Sequence, residues 1–127
     1  MKMNTSKLTG FALDWAVARC EGWDNLRRDI HLSWQGGLND LVMDGPPGNG
    51  VSLWALNFSS DWALGGPIIE REKLGLSFEK VEEWEAWAYA GVCRSGPTPL
   101  IAAMRCYVAS KLGDEVDIPA VLMIATA

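Results

Sequence analysis

The residues best suited to chemistry in this chain gather around Ser95-Gly96-Pro97-Thr98-Pro99, where a loop runs into a helix. Thr98 is a good N-cap and Pro99 suits the first helical position, so the helix start offers unpaired backbone N–H groups and a partial positive charge to an anion. Arg94 stands just before this turn and Arg105 about two turns into the helix. Arg71 leaves a second dense stretch, Ser59 to Glu72. Guanidiniums brought together there would grip a phosphate or carboxylate in forked geometry. Trp62, Trp84 or Trp87 would then cover a flat group, with the Asp61 carboxylate beside them. The candidate ligand-binding set is therefore Thr98, Gly96, Arg94, Arg105, Arg71, Trp62, Asp61, Trp84 and Trp87. Each also has a plain structural reading: Gly96 to Pro99 as a helix cap, Glu70 and Arg71 as a pair on a strand face, Arg105 as a solvated charge, and any one Trp as core.

Reactive chemistry is poorly provided for. His31 is the only histidine, so a Ser-His-Asp triad would have to be built on it, and no second histidine serves the commoner metal sites. Asp61, Glu70 and Glu72 offer carboxylates for Mg²⁺ without a diagnostic spacing. Cys20, Cys93 and Cys106 are an odd number at unrelated spacings, which fits neither a disulfide framework nor a zinc site. Cys20 and Cys106 read as small core residues, whereas Cys93 lies in a loop where Arg94 would lower its pKa. No phosphate-binding loop or dinucleotide fingerprint is present. The expectation is a protein without catalytic residues, cofactor or metal.

These side chains must be held by a small set of elements. Leu13, Ala16, Val17 and Cys20 recur at helical spacing, predicting a helix over Thr9 to Glu21 with Asp14 and Arg19 on its solvated side. Arg28 to Trp34 and Val51 to Phe58 read as strands of a hairpin whose tip is the turn-rich Asp44 to Gly50. Gly65-Gly66-Pro67 predicts a sharp structural turn, with a strand from Ile68 through Arg71. Leu74 to Phe78 and Glu83 to Tyr89 also have strand patterns. Leu100, Met104, Tyr107 and Val108 mark a second helix, Pro99 to Leu112, ended by Gly113. Asp114 to Pro119 reads as an extended acidic segment leading away. The predicted fold is α+β: a small antiparallel meander sheet with an N-terminal and a C-terminal helix packed on one face.

The chain has 127 residues, which suits one domain over 1–119 followed by an apolar tail, 120–127. A net charge of −5 argues against broad nucleic-acid binding, which needs a basic surface, but suits a basic protein partner. No early hydrophobic run follows Met1-Lys2-Met3, and no apolar run is long enough to span a bilayer, so no signal peptide or membrane contact is expected. A cytoplasmic location follows. Seven tryptophans either fill the core or, in part, form a stacking wall.

Three segments carry a resemblance: Thr9 to Ala18, Asp61 to Glu72 and Gly96 to Arg105, with Tyr107 to Pro119 extending the last. They resemble the NinX-type family of tailed phages and prophages over roughly half of the chain; Trp23 to Phe58 lies outside the likeness. The resemblance implies a phage accessory protein acting in the host cell cytoplasm, and it brings no catalytic residue or cofactor. Two functions are carried forward. The first is a non-catalytic binder of a small anionic or nucleotide-like ligand, such as a sequestered host signal. The second is a protein–protein module that modulates a host or phage factor through an acidic, Trp-bearing surface. A homodimer is compatible with either, since strand edges and the apolar C-terminal residues need cover.

Overall fold

The computed structural model describes residues 1–29, 41–46 and 48–122. Three α-helices run through it: α1 (Gly10–Cys20), α2 (Trp62–Glu72) and α3 (Pro99–Leu112). In α1 every residue from Ala12 to Ala18 is buried, because apolar side chains surround the helix and it has no face to give to water. Helix α3 buries eight residues, Leu100, Met104, Tyr107 and Val108 among them, and packs against both α1 and α2. Thr98 caps it as expected: its hydroxyl accepts the Ile101 N–H at 3.1 Å.

Among the described residues, eight strands form three separate antiparallel sheets, so the α+β class holds while the single meander is replaced by three small sheets. Strands β1 (Lys2–Asn4) and β8 (Glu115–Asp117) pair alone, with Met3 opposite Val116. The acidic segment therefore folds back instead of leading away. Strands β2 (Asp24–Arg28), β3 (Leu41–Gly45) and β4 (Gly48–Ser52) form the second sheet. The turn-rich residues around Asp44 thus pair after all, Gly45 opposite Gly48, across a shift of register after Met43. The strand expected to continue to Phe58 stops at Ser52 and gives way to a 3-10 turn, Leu53–Ala55. The expected strand Arg28 to Trp34, with His31, falls outside the described residues from 30 onward. Strands β5 (Gly75–Lys80), β6 (Glu83–Trp87) and β7 (Cys93–Gly96) form the third sheet, laid on α3 through β6 and β7.

The largest departure from expectation is α2. Gly65-Gly66-Pro67 lies inside this helix, and so do Ile68 to Arg71, which were expected as a strand. Neither glycine has a positive φ. Gly65 is there for space: a Cβ would stand 2.5 Å from Leu100 Cδ1 and 2.6 Å from the Phe58 carbonyl oxygen. Local turn composition is overridden by the close approach of α2 to α3. Pro67 has no N–H to donate back along the helix, yet the helix continues to Glu72.

Gly96 is another close-approach position, since a Cβ there would meet the Ala102 backbone nitrogen at 2.8 Å. Leu122 is fully buried in the same core as the three helices, so the packed region reaches at least that far.

Candidate functional site

Two adjoining hollows lie where the three helices begin. The larger, about 420 Å³, is bordered by Thr9, Gly10 and Phe11 at the start of α1, by Asp14 one turn on, by Trp54, and by Asn57, Ser59, Ser60 and Ile101. The smaller, about 260 Å³, is bordered by Ser59, Ser60 and Trp62 at the start of α2 and by Thr98, Leu100 and Ile101 at the start of α3. Ser59, Ser60 and Ile101 are common to both. All three helix N-termini therefore face one composite groove, and their partial positive charges add there.

Local sequence explains how the groove is kept open. Asp61 caps α2 by accepting the Ala63 N–H at 2.9 Å, and Thr98 caps α3. Thr9 stands at the N-cap of α1 in extended geometry, but its hydroxyl makes no capping hydrogen bond. Its carbonyl begins the helix, accepting the Leu13 N–H at 3.3 Å. Phe11 and Trp54 meet edge to face, ring centroids 5.1 Å apart, and Trp54 is 57% exposed. They give the larger hollow an aromatic wall.

The floor of the larger hollow holds Asp14, which is only 5% exposed. Its Oδ1 accepts the buried Ser59 N–H at 2.8 Å. Burial pushes its carboxyl up from the ordinary 3.8 to about 6, and hydrogen bonds from the Ser59 side chain and backbone hold back a larger rise. The expectation of a solvated Asp14 is thus corrected. Its burial had a visible signal: Phe11 to Ala18 contains one charged residue in an otherwise apolar helix, which leaves no polar side for it to face.

The arginines do not come to the groove. Arg94 donates to Thr5 Oγ1 at 3.1 Å and to Asp114 Oδ1 at 2.8 Å. Arg105 donates to the Leu8 carbonyl at 2.7 Å and to the Ser95 carbonyl at 3.0 Å. Arg71 sits at the opposite end of the helices, donating to both Glu21 oxygens at 3.0 and 2.6 Å and to Glu72. There Tyr107 also donates to Glu21, and Lys111 pairs with Glu72 at 3.0 Å. Burial opposes the Glu21 charge, but the bonds from Arg71 and Tyr107 win and hold its carboxyl below the usual range. Each guanidinium is committed to the protein's own acceptors, because each finds a carboxylate or carbonyl far away in sequence that local spacing does not reveal.

Of the other candidates, Thr98 and Trp62 border the smaller hollow, whereas Asp61 spends its carboxylate on the cap. Gly96 is pressed against α3. Trp84 meets Phe78 edge to face at 5.4 Å, and Trp87 lies over Gly75, so both belong to the third sheet and neither borders the groove. Asp61 and Glu72 stand at opposite ends of α2, about 16 Å of helix apart, and do not form a joint carboxylate set. Cys93 donates to Glu85 Oε1 at 2.9 Å, and this bond, with burial and the Glu85 charge, pushes its thiol up to about 11. Arg94 pulls the other way but does not make the thiol reactive.

Among the described residues, no helix is long and apolar enough to cross a membrane. No curated protein matches the chain. A family model described as Bacteriophage P22, NinX matches residues 4–111, a span that takes in α1, α2, all but the last residue of α3, and both hollows. The chain belongs to this phage family.

Proposed function

We propose that this phage accessory protein works in the host cytoplasm as a non-catalytic binder of a small anionic, nucleotide-like ligand, withdrawing it from the infected cell. The observation that carries this reading is the meeting of three helix N-termini on one groove that also has an aromatic wall. Each helix end favours an anion by about 0.3–1 kcal/mol, so three acting together supply on the order of 1–3 kcal/mol. The larger hollow, about 420 Å³, falls within the roughly 300–1,000 Å³ of small-molecule sites. Backbone donors and hydroxyls take the role that the arginines were expected to fill. In this reading the ligand is held and not turned over.

A thermal-shift series with nucleoside mono- and triphosphates tests this. A raised Tm with a phosphorylated nucleoside, recovered intact afterwards, is the expected result. An unchanged Tm across the whole series overturns it.

A second reading, an interaction module, is favoured by the β5–β6 hairpin. Trp87 is 43% exposed and lies over Gly75 on the face of the hairpin that also carries Glu85, opposite Ser77. Such a surface suits a basic, apolar partner.

A further inference from the structure

The ligand's flat part has a chemistry that the floor of the larger hollow can specify, granted the reading of the groove as a ligand site. We infer that the hollow takes a guanine-type ring, a flat heterocycle that presents two adjacent N–H donors to the Asp14 carboxylate.

Among the described residues, Asp14 is the only ionisable side chain bordering either hollow. A carboxylate offers about four acceptor positions. Its hydrogen-bond partners are the backbone and side chain of Ser59, and among the described residues no basic side chain pairs with it. Acceptor capacity is therefore left over in a place that is nearly closed to water, where an unmet charge is costly. At neutral pH the group is still mostly the carboxylate, and so an acceptor.

Two kinds of ligand could meet that capacity, a cation or a neutral N–H donor. The cation is disfavoured, since three helix N-termini surround the groove with partial positive charge. A neutral donor edge carries no such penalty. A pair of parallel N–H groups side by side matches the two oxygens of one carboxylate, and guanine alone among the common bases presents its imino and amino hydrogens that way. The walls agree with a flat ring: Phe11 and Trp54 supply aromatic surface and Ile101 an apolar side. A phosphate on the same ligand then extends past Ser59 and Ser60 to the smaller hollow, where α2 and α3 begin.

The test is equilibrium binding of the full chain to guanosine monophosphate, adenosine monophosphate and xanthosine monophosphate. The wild type should bind the guanosine nucleotide about tenfold or more tightly than the adenosine one, because adenine offers one amino group next to an acceptor nitrogen. Asp14→Asn should lose about tenfold for guanosine monophosphate. It should gain for xanthosine monophosphate, whose carbonyl stands where guanine has its amino group and accepts from the new amide. Trp54→Ala, which removes the exposed ring of the aromatic wall, should weaken guanosine and adenosine monophosphate alike. Equal binding of those two nucleotides by the wild type, which needs no variant to fold, overturns the guanine assignment and leaves the groove reading standing. So does an Asp14→Asn protein with unchanged preference. Failure of the wild type to bind any of the three overturns both.

Discussion

The two ends of the helix layer are built in opposite ways. Where α1, α2 and α3 finish, Glu21, Arg71, Glu72, Tyr107 and Lys111 are joined by hydrogen bonds and ion pairs, and Arg71 and Lys111 stand near the Tyr107 ring. Helices that run side by side in the same sense place like partial charges together. At the carbonyl end the protein ties two cations, Arg71 and Lys111, to the carboxylates of Glu21 and Glu72. At the amide end the corresponding network is incomplete. Asp61 and Thr98 cap one helix each, Thr9 makes no side-chain cap, and the space between is left as two hollows. The lesson is that a tied network of side chains closes one end, whereas caps alone leave open space at the other.

The seam between α2 and α3 is the most sensitive place to break this arrangement. Gly65→Val should destabilise by about 3 kcal/mol, because its side chain would overlap Leu100 and the Phe58 carbonyl. Gly66→Ala, one residue on, has only Trp62 at 3.9 Å and should stabilise by about 0.5–1 kcal/mol. Chemical denaturation of the two variants separates packing from turn geometry. Equal loss in both would restore a special turn at this site.

The two ends should also titrate in opposite directions. Asp14 binds its proton more tightly folded than unfolded, so its contribution is fully present below pH 3.8 and is lost as pH rises through about 6. The rise from 3.8 to about 6 corresponds to about 3 kcal/mol. Glu21 and Glu72 are held below their ordinary 4.5, so their contributions are present above that value and fade as pH falls below it. A plot of Tm against pH should therefore fall between about 4.5 and 6, where the glutamate contributions are complete and that of Asp14 is being lost. Asp14→Asn should flatten the neutral side, and Arg71→Ala the acid side. A profile that rises steadily to pH 7 in the wild type would contradict a buried, ionisable Asp14.

A modest loss belongs to one cap. Thr98→Ala should cost about 1 kcal/mol by leaving the Ile101 N–H without its hydroxyl. If it also weakens nucleotide binding, the start of α3 contributes to the groove as well as to the fold.

The sequence makes some of this legible. Regular apolar spacing exposed α1 and α3, and alternation exposed β6, since those signals are local. Helix α2 was hidden because Gly-Gly-Pro has turn chemistry and the reason for Gly65 is a contact with residues 58 and 100. Strand β1 is three residues long and finds its partner at the other end of the sequence, so no short-range signal announces it. In the site, Thr98 and Trp62 were visible as a cap and a large ring beside it. Asp14 was misplaced by treating charge as a mark of exposure, and the arginines by supposing that cations near a helix start must serve it. Arg71 instead reaches Glu21, fifty positions away.

The Ser59-Ser60 shelf has one further consequence. It is a single strip of backbone bordering both hollows, and its buried contact with α1 is the bond from the Ser59 amide to Asp14. Whatever engages the Asp14 carboxylate therefore pulls on the partition shared with the neighbouring chamber. A free nucleoside and inorganic phosphate, offered as separate fragments, should not fill the two chambers independently: the first to arrive sets the affinity for the second, and by thermodynamic reciprocity the second sets it equally for the first.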